Sequence, residues 1–347
     1  MDYGALIRQA WETTWRHRFM WVLALFAGGA VGAGGRNGMG FRFGGPRGWD
    51  RIGERTDAGD FGPFRAWRGG EGWRLPDGAE GVQRVAEGLV QWGIAHIALI
   101  AAGIALLVML GIGLLVLALI ARGGMAEATV DLATGRSSSL GRAWRTGTRL
   151  IWRYAGLWLV LAGIGLAVAI VVGGTVAAGV GAAALTGAPR LFAVLGALVG
   201  IPLALAAIVC GIALSVVVAY AERAIYAEDT GPIDALRTGW HTLRANLGTS
   251  ALLWLINLAM VVGIGIVGAL IGLTLVVALG GAGVAIWAAA GWSAPLFAYG
   301  AVGALALLAA ALTAGAVANT FFWNYWSLAY VRLTGRDAGT EADAIPA

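Results

Sequence analysis

From Val90 to Ile120 the chain carries not one Asp, Glu or Arg. Such a run has few structural solutions. A helix crossing a bilayer needs roughly 20 apolar residues, and in lipid every backbone polar group must be paired within the segment. Five more apolar segments follow the same rule: Phe19–Gly34, Ala155–Ala184, Leu191–Tyr220, Thr249–Leu279 and Pro295–Val331. Gly280–Trp292 is too short to span and reads as an interfacial or re-entrant helix. Composition agrees: 59% of residues are hydrophobic and 12% charged. Soluble domains sit near about 45–50% and about 25%, so the main body is not a soluble enzyme, a disordered chain or a nucleic-acid module. The short first segment could serve as a signal peptide. Its recurrence downstream favours a span.

That recurrence is the second constraint. Arg145-Thr146-Gly147 in LGRAWRTGTRLIWRYAG precedes the third span, and Arg237-Thr238-Gly239 in PIDALRTGWHTLRANLG precedes the fifth. Without a gap, Ala143 aligns with Ala235 and Gly156 with Gly248. The looser ALIRQAWETTWRHRF precedes the first, and LATGR at Leu132–Arg136 echoes RLTGR at Arg332–Arg336. The predicted fold is therefore all-α: a polytopic transmembrane bundle, six spans in three parallel two-span repeats, each preceded by an amphipathic interfacial helix. The repeats fall at 4–134, 138–228 and 232–336 of a single membrane domain, with a flexible tail at 337–347. The first includes a Gly/Arg-rich outer loop at 35–88. That loop holds nine arginines and eight acids. Its glycine content argues against a packed core, and its charge balance against nucleic acid. Asp77 and Glu80 have capping-box spacing for a helix leading into the second span.

All 24 basic residues are arginine, and they cluster at the chain ends and the even-numbered loops. The positive-inside rule places both termini in the cytoplasm, for a multi-pass protein of the inner or plasma membrane. The repeated helices combine arginine with tryptophan, which suits a headgroup layer. The predicted lipid- or partner-facing residues are Arg16, Arg18, Arg142, Arg145, Arg149, Arg153, Arg237 and Arg244, with Trp11, Trp15, Trp144, Trp152 and Trp240. The plain reading is a collar that levels each unit; the functional one is an anionic-lipid or protein docking surface. Gly196, Gly200, Gly263, Gly265, Gly268 and Gly272 read as helix-packing faces of small-xxx-small type.

Chemistry is sparse. Span centres hold almost no ionisable groups, which argues against ion-coupled transport. Glu127, Asp131, Glu222 and Arg223 lie at inner ends, and Asn257, Asn319 and Asn324 are the main buried polar side chains, expected to bond across helices. His17, His96 and His241 are far apart, and no HExxH occurs. Ser293 and His96 could share the outer face as a serine–histidine pair. Gly263-Ile264-Gly265-Ile266-Val267-Gly268 matches GxGxxG only literally, lying inside a span with no preceding strand. No catalytic residue, metal or cofactor is predicted. One cysteine, Cys210, says nothing about redox compartment.

AWETTWRHRFMWVLALFAGG, a Gly-rich first outer loop, and the later AWR and ALRTGW helices resemble a family of uncharacterised bacterial six-span proteins. These are similar to the membrane domain attached to some glycerophosphodiester phosphodiesterases. The resemblance implies a membrane scaffold without the hydrolase, whose metal-binding barrel is absent from this sequence. The sequence thus leads to a non-enzymatic protein that organises lipid or a partner. The partners expected are anionic lipid, a membrane protein or a second copy. The alternative is a transporter or channel for an apolar or lipid-like substrate.

Overall fold

The computed structural model describes residues 1–29, 97–186 and 189–336. Among these the chain is helical with no strand, and five helices are long and apolar enough to cross a membrane. This is a membrane protein. The helices are α1 (Tyr3–Arg16), α2 (Phe19–Ala24, continued by a π-helical turn, Leu25–Gly29), α3 (Ile97–Ala133), α4 (Leu140–Thr186), α5 (Pro189–Ala227), α6 (Pro232–Ala245), α7 (Leu247–Ala290) and α8 (Ala294–Leu333). The chain divides into two compact units, Met1–Gly40 with Leu114–Ala347, and Phe41–Gly113. The second is described only over residues 97–113, which are helical. The outer loop, Asp77, Glu80, His96 and the 337–347 tail lie outside the described residues, as do residues 30–34 of the first predicted span.

Two expected boundaries are corrected. Gly280–Ala290 is no separate helix but the last stretch of α7, which stops at Gly291 with φ +61°. Nothing in GGAGVAIWAAA breaks a helix, and the Tyr299 hydroxyl from α8 donates to the Leu279 carbonyl at 2.9 Å. The second surface helix is likewise not separate: α4 runs unbroken from Leu140. In the third unit Asn246 interrupts, its amide donating back to the Thr242 carbonyl at 3.2 Å, a local bond that competes with helix continuation. The aligned residue in α4 is Tyr154, buried and donating to the Glu222 carbonyl at 2.6 Å. At 44 residues α7 is roughly 66 Å long, about twice a hydrocarbon core.

The echoed LATGR and RLTGR segments are two copies of one helix stop. Gly135 and Gly335 have φ +77° and +67°. Arg136 N–H donates to the Asp131 carbonyl at 2.8 Å, and Arg336 N–H to the Val331 carbonyl at 3.0 Å. These six-to-one bonds, with a left-handed glycine, make a Schellman cap.

Packing is concentrated at the end of the bundle where α3, α5 and α8 finish, hereafter the inner end. The last turns of α3, α5 and α8 are buried, and α8 is buried on every side from Thr320 to Val331. Three short segments lie on these ends. In α4, Ala143 and Gly147 press on α3: a Cβ on Gly147 would strike the Ile120 carbonyl, and one on Gly124 would come within 2.8 Å of the Ala143 carbonyl. In α6, a Cβ on Gly239 would strike the Val217 carbonyl of α5. In α1, capped by the Asp2 carboxylate accepting from Ala5 N–H at 3.0 Å, Leu6, Ala10 and Thr14 are buried. There Asn324 of α8 donates to the Thr14 hydroxyl at 3.0 Å.

Candidate functional site

The inner ends enclose a charged centre. Arg223 is 3% exposed, and every hydrogen-bonding nitrogen of its side chain is used. Nε donates to Ser327 Oγ at 3.2 Å, Nη1 to the Ala219 carbonyl at 2.7 Å and to Glu222 Oε2 at 3.4 Å, and Nη2 to the Trp323 carbonyl at 3.4 Å. Its guanidinium carbon stands 4.4 Å from the Trp323 ring centroid. Glu222 also pairs with Arg122 at 3.0 Å, and Arg122 stacks on Trp158 at 4.4 Å. Ser327 and Thr129 share a hydrogen bond of 2.8 Å. Residues of α3, α5 and α8 thus meet around one ion cluster, with α4 closing it through Tyr154 and Trp158. Buried charge is costly unless paired, and this arrangement pairs it.

A second layer ties the helix stops to their neighbours. Asp131 accepts from the Tyr226 hydroxyl at 2.8 Å and pairs with Arg136 at 2.7 Å. Glu228 accepts from the Tyr330 hydroxyl at 2.7 Å and pairs with Arg336 at 3.2 Å. The same trio, an acid, a tyrosine from the next return helix and a cap arginine, occurs twice. Glu127 receives Ser138 Oγ at 2.9 Å and lies 3.7 Å from Arg142.

The three asparagines behave as expected of polar groups in spans. Asn257 Oδ1 accepts from Trp326 Nε1 at 3.1 Å, Asn319 donates to the Ala24 carbonyl at 2.8 Å, and Asn324 reaches Thr14. His17 Nδ1 lies 3.3 Å from the Thr13 carbonyl. Among the described residues no three metal-ligating side chains converge. The Ser293–His96 pairing falls outside the described residues on its histidine side.

The collar residues lie opposite the buried faces. Trp11, Trp15, Trp144, Trp152 and Trp240 are exposed, from 40% at Trp144 to 82% at Trp152. Arg16, Arg18, Arg142, Arg145, Arg149, Arg237 and Arg244 are exposed and Arg153 is half-buried. They differ in engagement. Arg142 faces Glu127 and Asp131, Arg153 pairs with Asp229 at 2.6 Å, and Arg237 pairs with Asp234 at 3.3 Å. Arg18 and Arg244 lean on Trp21 and Trp240. Arg16 and Arg145 make no ion pair with a described residue. The Arg153 guanidinium, by hydrogen bond and then by charge, holds the Asp229 carboxyl below its ordinary range.

Five of the six predicted packing glycines have no close neighbour among the described residues. A Cβ on Gly196, Gly200, Gly263, Gly268 or Gly272 would meet nothing within 4 Å, and Gly265 is half-buried. Close approach occurs instead at Gly123, Gly124, Gly147 and Gly239. The RTG echo marked two of these. Arg122, the outer member of the ion cluster, had no local signal, because its partner is 100 residues away.

Residues 13–337 match a family described as a family of unknown function, DUF7544. No curated protein and no solved structure matches the chain.

Proposed function

The chain belongs to DUF7544, and we propose that it is a non-enzymatic, multi-pass scaffold whose arginine and tryptophan collar organises anionic lipid at the cytoplasmic face. One observation carries this reading. Each surface segment buries an alanine and a residue four positions on, Ala10 with Thr14, Ala143 with Gly147, Ala235 with Gly239, and turns tryptophan and arginine outward. Three segments of one design around one hub support three parallel repeats. The first span of that reading, Phe19–Gly34, is described to Gly29 as a short apolar helix and π turn. Arg16, Arg145 and Arg149, exposed and without an ion pair to a described residue, are suited to phosphate, and indole rings beside them to the headgroup layer. The positive-inside rule puts this end, with both termini, in the cytoplasm of a cell-membrane protein. The resemblance to membrane domains attached to phosphodiesterases fits the same role.

The test is native mass spectrometry of protein extracted in mild detergent. Arg16, Arg145 and Arg149 changed together to Gln should lose co-purifying anionic lipid; unchanged retention refutes the collar. Orientation is read separately in a Cys210→Ser background. A cysteine placed at Ala347 should resist an impermeant thiol label in intact cells, and labelling there reverses the orientation.

A second reading, passage of an apolar or lipid-like substrate, is favoured by one feature. Gly280, Gly283, Trp287, Trp292, Phe297 and Gly300 line an apolar groove of about 550 Å³ where α7 meets α8. Lipid scrambling in vesicles by the purified protein would favour this reading over the scaffold.

A further inference from the structure

A second groove, of about 530 Å³, lies where α1 meets α7 and α8. That volume is in the range of small-molecule sites. Its walls are Ile7 and Trp11 of α1, Met260 and Ile264 of α7 and Phe321 of α8. The Trp11 and Phe321 rings stand edge to face with centroids 6.1 Å apart. Its room comes from missing side chains. A Cβ on Gly263 would meet nothing within 4 Å, and one on Gly4 would meet its nearest neighbour, Asp2 Oδ1, at 3.5 Å. One lining residue is charged, Arg8, and it is exposed. Asp2 feels the Arg8 charge, but its carboxylate is held by Ala5 N–H at the helix cap.

We propose that this groove is a phospholipid site, taking one acyl chain between Ile7, Met260, Ile264 and Phe321, with the anionic headgroup on Arg8. The proposal rests on the membrane reading above but not on the collar arginines. The occupant is lipid because of where the α7 wall lies. α7 carries no charged residue from Leu247 to Ala290, so the wall that Met260 and Ile264 give the groove is a surface as apolar as the acyl chains themselves. Arg8 supplies the complementary charge at the polar end. A guanidinium binds phosphate oxygens in a bidentate fork, and anionic lipid is thereby preferred to zwitterionic lipid.

The experiment titrates the detergent-purified full chain with phosphatidylglycerol and with phosphatidylcholine of the same acyl chains, reading the first bound lipid by native mass spectrometry. The wild type should bind one phosphatidylglycerol about fivefold more tightly than phosphatidylcholine. Gly263→Leu, placed where nothing stands within 4 Å, should fold with an unchanged melting temperature and lose the first lipid of either kind. Arg8→Gln should keep phosphatidylcholine and lose the preference. A first lipid retained in Gly263→Leu, or a preference intact in Arg8→Gln, overturns the site. So does a dimer that carries no lipid and that Gly263→Leu dissociates, since the groove would then seat a second copy. If lipid is lost on changing Arg16, Arg145 and Arg149 but not in Gly263→Leu, the collar stands and the groove falls. The reverse pattern keeps the groove and removes the collar.

Discussion

The inner and outer reaches of the same helices follow different rules. From Thr320 to Val331, α8 is buried on every side, carries aromatic side chains and holds Asn324 and Ser327 in hydrogen bonds. In α7, the most apolar stretch buries no side chain within the chain. Both are apolar helices rich in small and aromatic residues. The first is fixed by other parts of the protein, the second by lipid or by another molecule. Hydrophobicity alone therefore does not separate a core from a lipid-facing surface in such a chain; paired polar groups and close backbone approach do. Leu and lipid tails are equally apolar, so burying one against the other gives little drive, whereas a buried ion without its partner is costly.

The largest test of this contrast is Arg223→Met. It leaves Glu222 buried beside one arginine in place of two and should cost about 3–5 kcal/mol, read as a fall in the unfolding midpoint in detergent. Ile264→Ala on the exposed face of α7 should stay within about 0.5 kcal/mol. Equal effects would erase the distinction. Next come the glycines. Gly147→Ala and Gly239→Ala push a methyl into a facing carbonyl and should each cost about 1–3 kcal/mol or more. Gly196→Ala and Gly268→Ala meet open space and should be neutral or slightly stabilising, because alanine is the better helix former. Thr14→Val strips the Asn324 amide of an acceptor in a buried setting, for about 1–3 kcal/mol. If Thr14→Val is silent, α1 is not held by that bond.

The smallest effect is pH-dependent. The Asp229 carboxyl is depressed below its ordinary value of 3.8 by Arg153. A depressed carboxyl adds stability that is complete above its unfolded value and fades as pH falls through the folded one. Arg153→Gln should therefore lower the midpoint slightly at neutral pH and match wild type below the carboxylate range. Because the pair is exposed, the gap should shrink in high salt. A gap that persists at low pH would assign Arg153 a packing role instead.

Much of this was legible because it is local. Apolar length located α3, α4, α5, α7 and α8, and the TGR echo marked two helix stops whose chemistry is confined to six residues. The RTG echo marked the glycine contacts, since a tight crossing demands the same small residue each time. The rest is non-local. TFFWNYWSLAYV reads only as the end of the last span and is the post around which the other ends pack, a fact set by what surrounds it. Small-xxx-small spacing shows that a helix can be approached closely, not by what, and Gly263 and Gly268 have no close neighbour among the described residues. The Tyr154-for-Asn246 difference, one side chain reaching the next helix and the other turning back on its own, decides whether a surface segment is separate. Neither residue type alone announces it.

The bond between Asn324 and Thr14 joins residues 310 positions apart. During synthesis α1 precedes its seat on α8 by 310 residues. Until residue 324 has emerged, Leu6, Ala10 and Thr14 have no surface to cover them. The inner end can close only once α8 has been made, so a product stalled before α8 keeps an uncovered face, the kind of apolar surface that membrane quality control can read.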